Sequence, residues 1–164
     1  QRRPAVEAAL TIIDTECARF HDRAFEKDPA SFGPVLADAI RRGRANDTLM
    51  LAGAYMEKDR FRARVAQMFE GIDALVAPVT PQIGYRSDTF GETFLGDLTQ
   101  SLSFAVPFNL SGNPSVTFPC GFGACGIPIG VQLVGPHLSE ARLLAAVHAY
   151  QQATDWHLRR PPLG

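Results

Sequence analysis

The sequence contains little cysteine: three residues, Cys17, Cys120 and Cys125, in a chain of 164. An odd count at wide spacing does not suit a disulfide framework, so we expect a reducing compartment, the cytoplasm. Cys120 and Cys125 flank one turn, but the stretch lacks the further ligands that a zinc site needs. We therefore expect no metal and no cofactor, and expect the cysteines to pack as small apolar side chains.

The sequence also lacks long apolar runs, a large net charge and an initiating methionine. No segment approaches the roughly 20 apolar residues that span a bilayer, and no secretory signal follows Gln1-Arg2-Arg3-Pro4. A formal net charge of −1 gives no electrostatic reason to expect nucleic acid or membrane as a partner. Because the first residue is not Met, we expect a processed, cut or partial chain.

What is present is the pattern of a globular domain whose first 71 residues form three amphipathic helices. In the first, apolar residues at steps of three and four predict a buried stripe of Val6, Leu10, Ile13, Cys17, Phe20 and Ala24. The second is predicted to start at a Ser31 cap, stop at Gly43, and bury Val35, Leu36, Ala39 and Ile40. The third is predicted to open at Asn46 or Asp47, close at Gly71, and bury Met50, Ala54, Phe61, Val65 and Met68 or Phe69.

The next 64 residues, 72–135, carry the strand signals. Residues 73–78 are short, apolar and bounded by prolines, which predicts a buried strand. Residues 78–96 form a loop by composition, and this loop either covers a pocket or is a flexible insertion. Pro107 limits residues 101–110 to a short helix or turn. Residues 115–118 and 127–134 are predicted to pair as a hairpin across a glycine-rich turn.

A last helix is predicted after the hairpin, capped by Ser139. It presents one face made of Leu143, Val147, Tyr150 and Thr154, with Leu144 beside them. His148 lies near that apolar face, where we expect it to be a packed histidine rather than a ligand or base. The basic, proline-rich tail has no reason to be ordered unless it is docked.

No self-contained active site stands out in the sequence. The four histidines fall in separate segments, and none forms the two-histidine helical pair of a metalloprotease. Ser111, His148 and Asp155 could form a triad only by the geometry of folding, which the sequence leaves open. Gly121, Gly123 and Gly126 spell Gly-x-Gly-x-x-Gly, but a strand follows where a dinucleotide site needs a helix, so a hairpin turn is expected.

Two stretches in the second half resemble the C-terminal segment of the amidase signature family. The first reads AVPFNLSGNP from Ala105, and the second comprises FPCGF from Phe118 and GIPIGVQLVG from Gly126. DALVAPVTP from Asp73 and TDWH from Thr154 are similar to the family as well, while the helical half matches more loosely. The physical reading agrees: Gly112 and Pro114 frame a turn, Gly121 and Gly126 permit positive φ, and Gly130 lets a neighbour approach a strand closely.

The resemblance implies hydrolysis or transfer of a carboxamide. In the family a serine attacks, a lysine activates it through a second serine, and backbone amides stabilise the oxyanion. That glycine- and serine-rich core lies upstream of the matching segment in the family, and the two lysines here, Lys27 and Lys58, lie in helices of another context. We therefore carry over no catalytic residue to this chain. The expected partner is the missing N-terminal amidase part or a partner chain.

Three apolar residues are candidates for the substrate pocket: Leu102, Phe104 and Phe108. Family members that use glutamine place an acidic residue seven positions before the asparagine that matches Asn109, where this chain has Leu102. This departure indicates a less polar amide substrate than glutamine, although the three side chains could equally belong to the core. Ala105 stands where many members have threonine, with no consequence that we can derive.

The sequence therefore predicts an α/β fold equivalent to the C-terminal part of an amidase domain. Its mixed β-sheet is flanked by helices, with residues 1–71 helical, 72–135 forming the sheet and pocket wall, and 136–164 forming the last helix and tail. We expect a small-molecule amide as substrate and no catalysis by the chain alone, and a homo-oligomer stays open. The alternatives are an amidase-like binding or scaffold subunit without catalysis, and a self-contained serine hydrolase.

Overall fold

The computed structural model describes residues 2–124 and 126–160, with the side chains of Arg2 and Arg3 left out. Three helices come first: α1 (Arg2–Lys27), α2 (Pro34–Ala45) and α3 (Thr48–Met68). Helix α1 packs against both α2 and α3, and the prediction of three N-terminal helices is confirmed. The cap at Asp47 is also confirmed, because its carboxylate accepts a hydrogen bond of 2.7 Å from the amide of Met50.

The predicted stripe of α1 is partly wrong. Val6 is fully buried, but Ile13 is 50% exposed and Phe20 is 83% exposed. The buried apolar positions are mostly smaller residues, namely Ala5, Val6, Ala8, Ala9, Ile12, Ala18 and Phe25. Helices α2 and α3 both pack against α1, and alanine lets helix backbones approach closely. The core face of α1 is therefore defined by small residues rather than by the largest ones.

Helix α2 differs from its prediction at both ends. It begins at Pro34 after Gly33, not at a Ser31 cap, and it runs through Gly43 to Ala45. Val35 and Leu36 are exposed, whereas Ile40 is fully buried. Proline suits the first helical turn because it needs no intrahelical partner for a backbone amide.

Gly43 does not stop α2 but lets it cross α1 at close range. A β-carbon at position 43 would lie 1.9 Å from the carbonyl oxygen of Asp14. Beside this contact, Arg42 donates hydrogen bonds of 2.7 and 3.2 Å to the two carboxylate oxygens of Asp14. The missing side chain at position 43 therefore sets the distance between the two helices.

The sheet has three antiparallel strands in the order β1–β3–β2. These are β1 (Leu75–Pro78), β2 (Ser115–Phe122) and β3 (Pro128–Val134). Leu75 pairs with Val134 from one side of β3, and Ser115 pairs with Val134 from the other. The predicted α/β class and the hairpin of β2 and β3 are confirmed. The predicted burial of β1 is wrong, because it is an edge strand whose Val76 is 64% exposed.

The turn between β2 and β3 uses one of the two glycines that were expected to adopt positive φ. Gly126 has a φ of 74°, whereas Gly121 stays in β2 next to a register shift. The predicted hairpin turn, rather than a dinucleotide loop, is confirmed. Cys125 lies outside the described residues.

Two short helices, α4 (Leu98–Ser101) and α5 (Val106–Ser111), connect β1 to β2. Pro107 lies in the first turn of α5, which explains how a helix tolerates it. Helix α5 ends at Gly112, whose φ of 74° turns the chain into β2. The side-chain amide of Asn113 then donates a 2.8 Å hydrogen bond to the carbonyl of Gly135 at the end of β3.

The last helix, α6 (Glu140–Gln152), packs on β2. Leu143 and Val147 are buried as predicted, and Leu144 is 60% exposed. Ser139 precedes α6, but its hydroxyl donates to the carbonyl of Pro136 at 2.6 Å and makes no side-chain cap bond. The predicted position of the helix is therefore right, and the predicted capping bond is wrong.

The loop after β1 packs partly on itself. Tyr85, Phe90 and Phe94 form a cluster in which the two phenylalanine rings stack at 4.9 Å. A π-helical turn spans Gly91–Leu95. Ile83 reaches the hairpin turn, where a β-carbon on Gly123 would lie 3.3 Å from its side chain. These contacts tie the loop to the strands that follow it.

Candidate functional site

A groove lies between the C-terminal half of α3, strand β1 and residues 103–108, and encloses about 460 Å³. We call it the α3–β1 groove. Its apolar lining includes Phe61, Val65, Leu75, Val76, Phe104 and Phe108. A pocket of this size with a mainly apolar lining is typical of small-molecule sites.

The groove's lining contains one charged side chain, Arg64, and that charge is already paired. Its guanidinium lies 2.6 Å from a carboxylate oxygen of Glu57 and 5.7 Å from the ring centre of Phe61. Among the residues that the structure describes, no acidic one lines the groove. The arrangement therefore suits an apolar group better than a charged one.

The structure separates the three residues that the sequence proposed for the substrate pocket. Phe104 and Phe108 both line the α3–β1 groove. Leu102 instead packs against the core that α1, α3 and α5 share. Phe108 also contacts the core cluster around Val65, so it joins the groove to the interior.

One residue that the sequence did not assign to the site, Gln132, holds the groove together. It is 3% exposed and lies in the central strand β3. Its side-chain amide nitrogen donates to the carbonyls of Pro78 and Phe104, both at 2.8 Å. One residue thus fixes the end of β1 to the segment that carries Phe104. The sequence did contain a signal, because Gln132 is the polar exception in an apolar strand.

Gly130 has the role that its position in a strand suggested. A β-carbon there would lie 3.4 Å from a methyl group of Val79 and 3.7 Å from Thr117. The residue just after β1 therefore packs directly over β3. The absence of a side chain at Gly130 thus lets Val79 pack against β3 where the chain leaves β1.

The serine and histidine alternatives do not assemble into a triad. Ser111 is fully buried, and its hydroxyl donates to the carbonyl of Phe108 at 3.3 Å. His148 and Asp155 are exposed, so the expectation of a packed His148 is wrong. In the described residues, no hydrogen bond joins these three side chains.

The described part of the chain also shows no metal site and no membrane-spanning helix. No group of three or more His, Cys, Asp or Glu side chains is placed to hold a metal ion. Cys17 contacts the α1–α2 core as expected, but Cys120 is exposed, so its predicted packing is wrong. None of the described helices combines the length and apolar character needed to cross a bilayer.

The family of the chain follows from three comparisons. A family model for amidases matches residues 4–144. One component of the glutamyl-tRNA(Gln) amidotransferase of Synechococcus sp. is 42% identical over 142 residues, which cover 81% of this chain and 26% of that protein. An amidase crystal structure superposes with a TM-score of 0.78 at 26% identity, covering 91% of this chain and 35% of that one.

A second solved structure is a 6-aminohexanoate cyclic dimer hydrolase with bound substrate. It superposes with a TM-score of 0.75 at 25% identity, covering 96% of this chain and 36% of that one. The chain thus spans about a quarter of the curated relative and about a third of each solved structure. The match over residues 4–144 and the shared fold show that the chain belongs to the amidase signature family.

Proposed function

We propose that this chain is the C-terminal portion of an amidase that hydrolyses, or transfers nitrogen from, a carboxamide C–N bond. The α3–β1 groove is the observation that carries the proposal. It is a small, mostly apolar cavity that Phe104 and Phe108 line, and Phe108 lies in the stretch that resembles the amidase family. In this role the chain contributes one wall of the substrate pocket.

We propose further that the chain is inactive alone. Family chemistry needs a lysine that activates a serine, and the two lysines of this chain are poorly placed for that. Lys27 is exposed at the end of α1, and the Lys58 ammonium lies 5.5 Å from the ring centre of Tyr55. The catalytic serines and lysine would come from the missing N-terminal amidase part or from a partner chain.

The substrate that this groove suits is a less polar amide than glutamine. An apolar lining without an acidic residue offers no partner for the ammonium group of glutamine. Leu102 packs in the core, at the position where glutamine-using members of the family carry an acid. Because Leu102 does not line the groove, the apolar lining alone favours a substrate whose acyl group is aliphatic or aromatic.

The three predicted parts of the chain would act as one partial amidase domain. Helix α1 of the helical part contacts α5 of the pocket-wall part, and α6 of the last part contacts β2. These contacts support treating residues 1–71, 72–135 and 136–164 as one unit. The free thiols of Cys17 and Cys120 support a cytoplasmic location.

The proposal is tested by supplying the missing part. The 164-residue chain is assayed alone and after co-expression with an upstream amidase core, on hexanamide, benzamide and glutamine. We expect no turnover by the chain alone, and turnover of the two apolar amides by the combined protein. Turnover by the chain alone would contradict the proposal, and a folded but inactive combination would favour a scaffold subunit.

The pocket-wall role is tested in the combined protein with matched phenylalanine variants. Phe104→Ala removes a side chain from the groove, so it should lower kcat/KM for benzamide roughly tenfold. Phe20→Ala removes an 83% exposed ring on α1 and should leave kcat/KM unchanged. Equal effects of the two variants would show that Phe104 does not face the substrate.

A further inference from the structure

A second groove lies beside the β2–β3 hairpin and shares no lining residue with the α3–β1 groove. It encloses about 720 Å³ between the strands and the segment after α6. We call it the hairpin groove. Its walls include Phe122 of β2 and four residues from the segment 156–160, namely Trp156, His157, Arg159 and Arg160.

The charged residues of the hairpin groove are all basic. Arg159 and Arg160 line it, and none of its described lining residues is acidic. Arg42 and Arg64 form salt bridges elsewhere in the chain, whereas no salt bridge between described residues includes Arg159 or Arg160. Two guanidinium groups at one cavity, with no carboxylate partner among the described residues, create a site that favours an anion.

The aromatic ring of Phe122 holds one of these guanidinium groups in place. The central carbon of the Arg159 guanidinium lies 3.8 Å from the ring centre of Phe122. Stacking on a ring face fixes the guanidinium plane while the N–H groups at its edge stay available. The ring of Trp156 lies 6.1 Å from that of Phe122 and is 37% exposed, so part of its surface is accessible to a ligand.

His157 adds an unsatisfied polar atom to the same wall. Its Nδ1 atom is buried and has no hydrogen-bond partner among the described residues. A buried polar atom without a partner is costly, so such atoms in a cavity wall often mark where a ligand binds. The groove therefore combines stacking surface and positive charge, and one of its lining residues carries a buried polar atom without a partner among the described residues.

We propose that the hairpin groove binds a small aromatic carboxylate. The planar ring would stack against Trp156, and the carboxylate would accept paired hydrogen bonds from the edge of Arg159, with Arg160 adding positive charge. Compared with an aromatic carboxylate, inorganic phosphate has the negative charge but no ring. A carboxylic acid with a saturated ring has the carboxylate and a similar size but no aromatic face. The ligand class follows from this combination and does not depend on the proposed amidase activity.

The chain contains one tryptophan, so Trp156 reports binding directly. The 164-residue chain is titrated with benzoate while tryptophan emission is excited at the red edge of its absorption. We expect a saturable change in emission. Arg159→Gln should weaken benzoate binding roughly tenfold, because a charged hydrogen bond is lost. Arg62→Gln, an exposed arginine on α3, is the matched control and should bind as the parent does.

Two further ligands test separately whether the aromatic ring and the carboxylate contribute to binding. Cyclohexanecarboxylate should bind several-fold more weakly than benzoate, and inorganic phosphate should give no saturable change. Circular dichroism confirms that each variant is folded, and Arg160→Gln replaces Arg159→Gln if the latter is not. An unchanged affinity in the folded variant, no response to benzoate, or equal binding of phosphate would each overturn the proposal.

Discussion

Gln132 should be the residue on which the α3–β1 groove depends most. Its amide nitrogen joins two carbonyls that are far apart in sequence, those of Pro78 and Phe104. Gln132→Leu keeps the approximate volume of the side chain and removes both hydrogen bonds. The carbonyls are left without this donor at a position that is only 3% exposed. The variant should therefore loosen the contact between β1 and the segment that carries Phe104.

The expected cost follows from the two hydrogen bonds. Each contributes about 1 kcal/mol net, and an acceptor left without a partner in a buried place costs about 1–3 kcal/mol. The added apolar surface of leucine offsets part of this loss. We therefore expect Gln132→Leu to lower the free energy of unfolding by about 2 kcal/mol.

Urea unfolding followed by circular dichroism measures this change. The control is Gln67→Leu, an exposed position on α3, which should change the free energy of unfolding by less than about 0.5 kcal/mol. Gln132→Glu adds a pH test. Carbonyl neighbours should raise the pKa of the new carboxyl above its unfolded value, so this variant should gain stability relative to the parent as the pH falls. The reasoning is refuted if Gln132→Leu unfolds at the same urea concentration as the control.

Two further predictions concern the helices. Gly43→Ala should destabilise the chain by about 2–3 kcal/mol in urea unfolding, because the new methyl group meets the Asp14 carbonyl. Gly53→Ala, with open space around it in α3, should be neutral or stabilising by up to about 1 kcal/mol, and equal losses would contradict the packing argument. The hydrogen bond to Glu16 raises the pKa of Tyr55 above its ordinary value of 10.0. The hydrogen bond between Tyr55 and Glu16 should thus stabilise the fold below pH 10, and this contribution should be lost as the pH rises through the pKa of Tyr55 in the folded chain. Ultraviolet titration should show Tyr55 ionising at a lower pH in Glu16→Gln than in the parent chain, because the hydrogen bond is lost.

The order of elements was predictable because local signals and tertiary structure agree there. Pro107 could begin a helix but not continue one, and the structure places it in the first turn of α5. The hairpin followed from two β-rich runs around a glycine-rich turn. Asn46 and Asp47 were both recognisable as candidate caps from residue type and position, and the structure selects Asp47. In each case a few neighbouring residues contain the whole physical cause.

The packing of the helices was less predictable because it depends on partners distant in sequence. The stripe through Ile13 and Phe20 has helical spacing, yet both side chains are exposed. The actual core face of α1 uses alanines, which a hydrophobicity pattern weights weakly. Gly43 resembles a helix stop in sequence, and only the crossing with Asp14 shows why a glycine is needed inside α2.

Only some of the residues that line the α3–β1 groove could be proposed from the sequence. Phe104 and Phe108 do line the α3–β1 groove, but so do Phe61 and Leu75, which are distant in sequence. Their meeting depends on the position of β1 beside β3 and on the bridge from Gln132, neither of which local periodicity encodes. Leu102 shows the converse, because an apolar residue close to two lining residues packs into the core instead.

Amide turnover with and without an upstream amidase core tests the central claim most directly. The account predicts that the 164-residue chain alone releases no ammonia from benzamide, and that the combined protein does. Ammonia release by the purified chain alone would contradict this expectation.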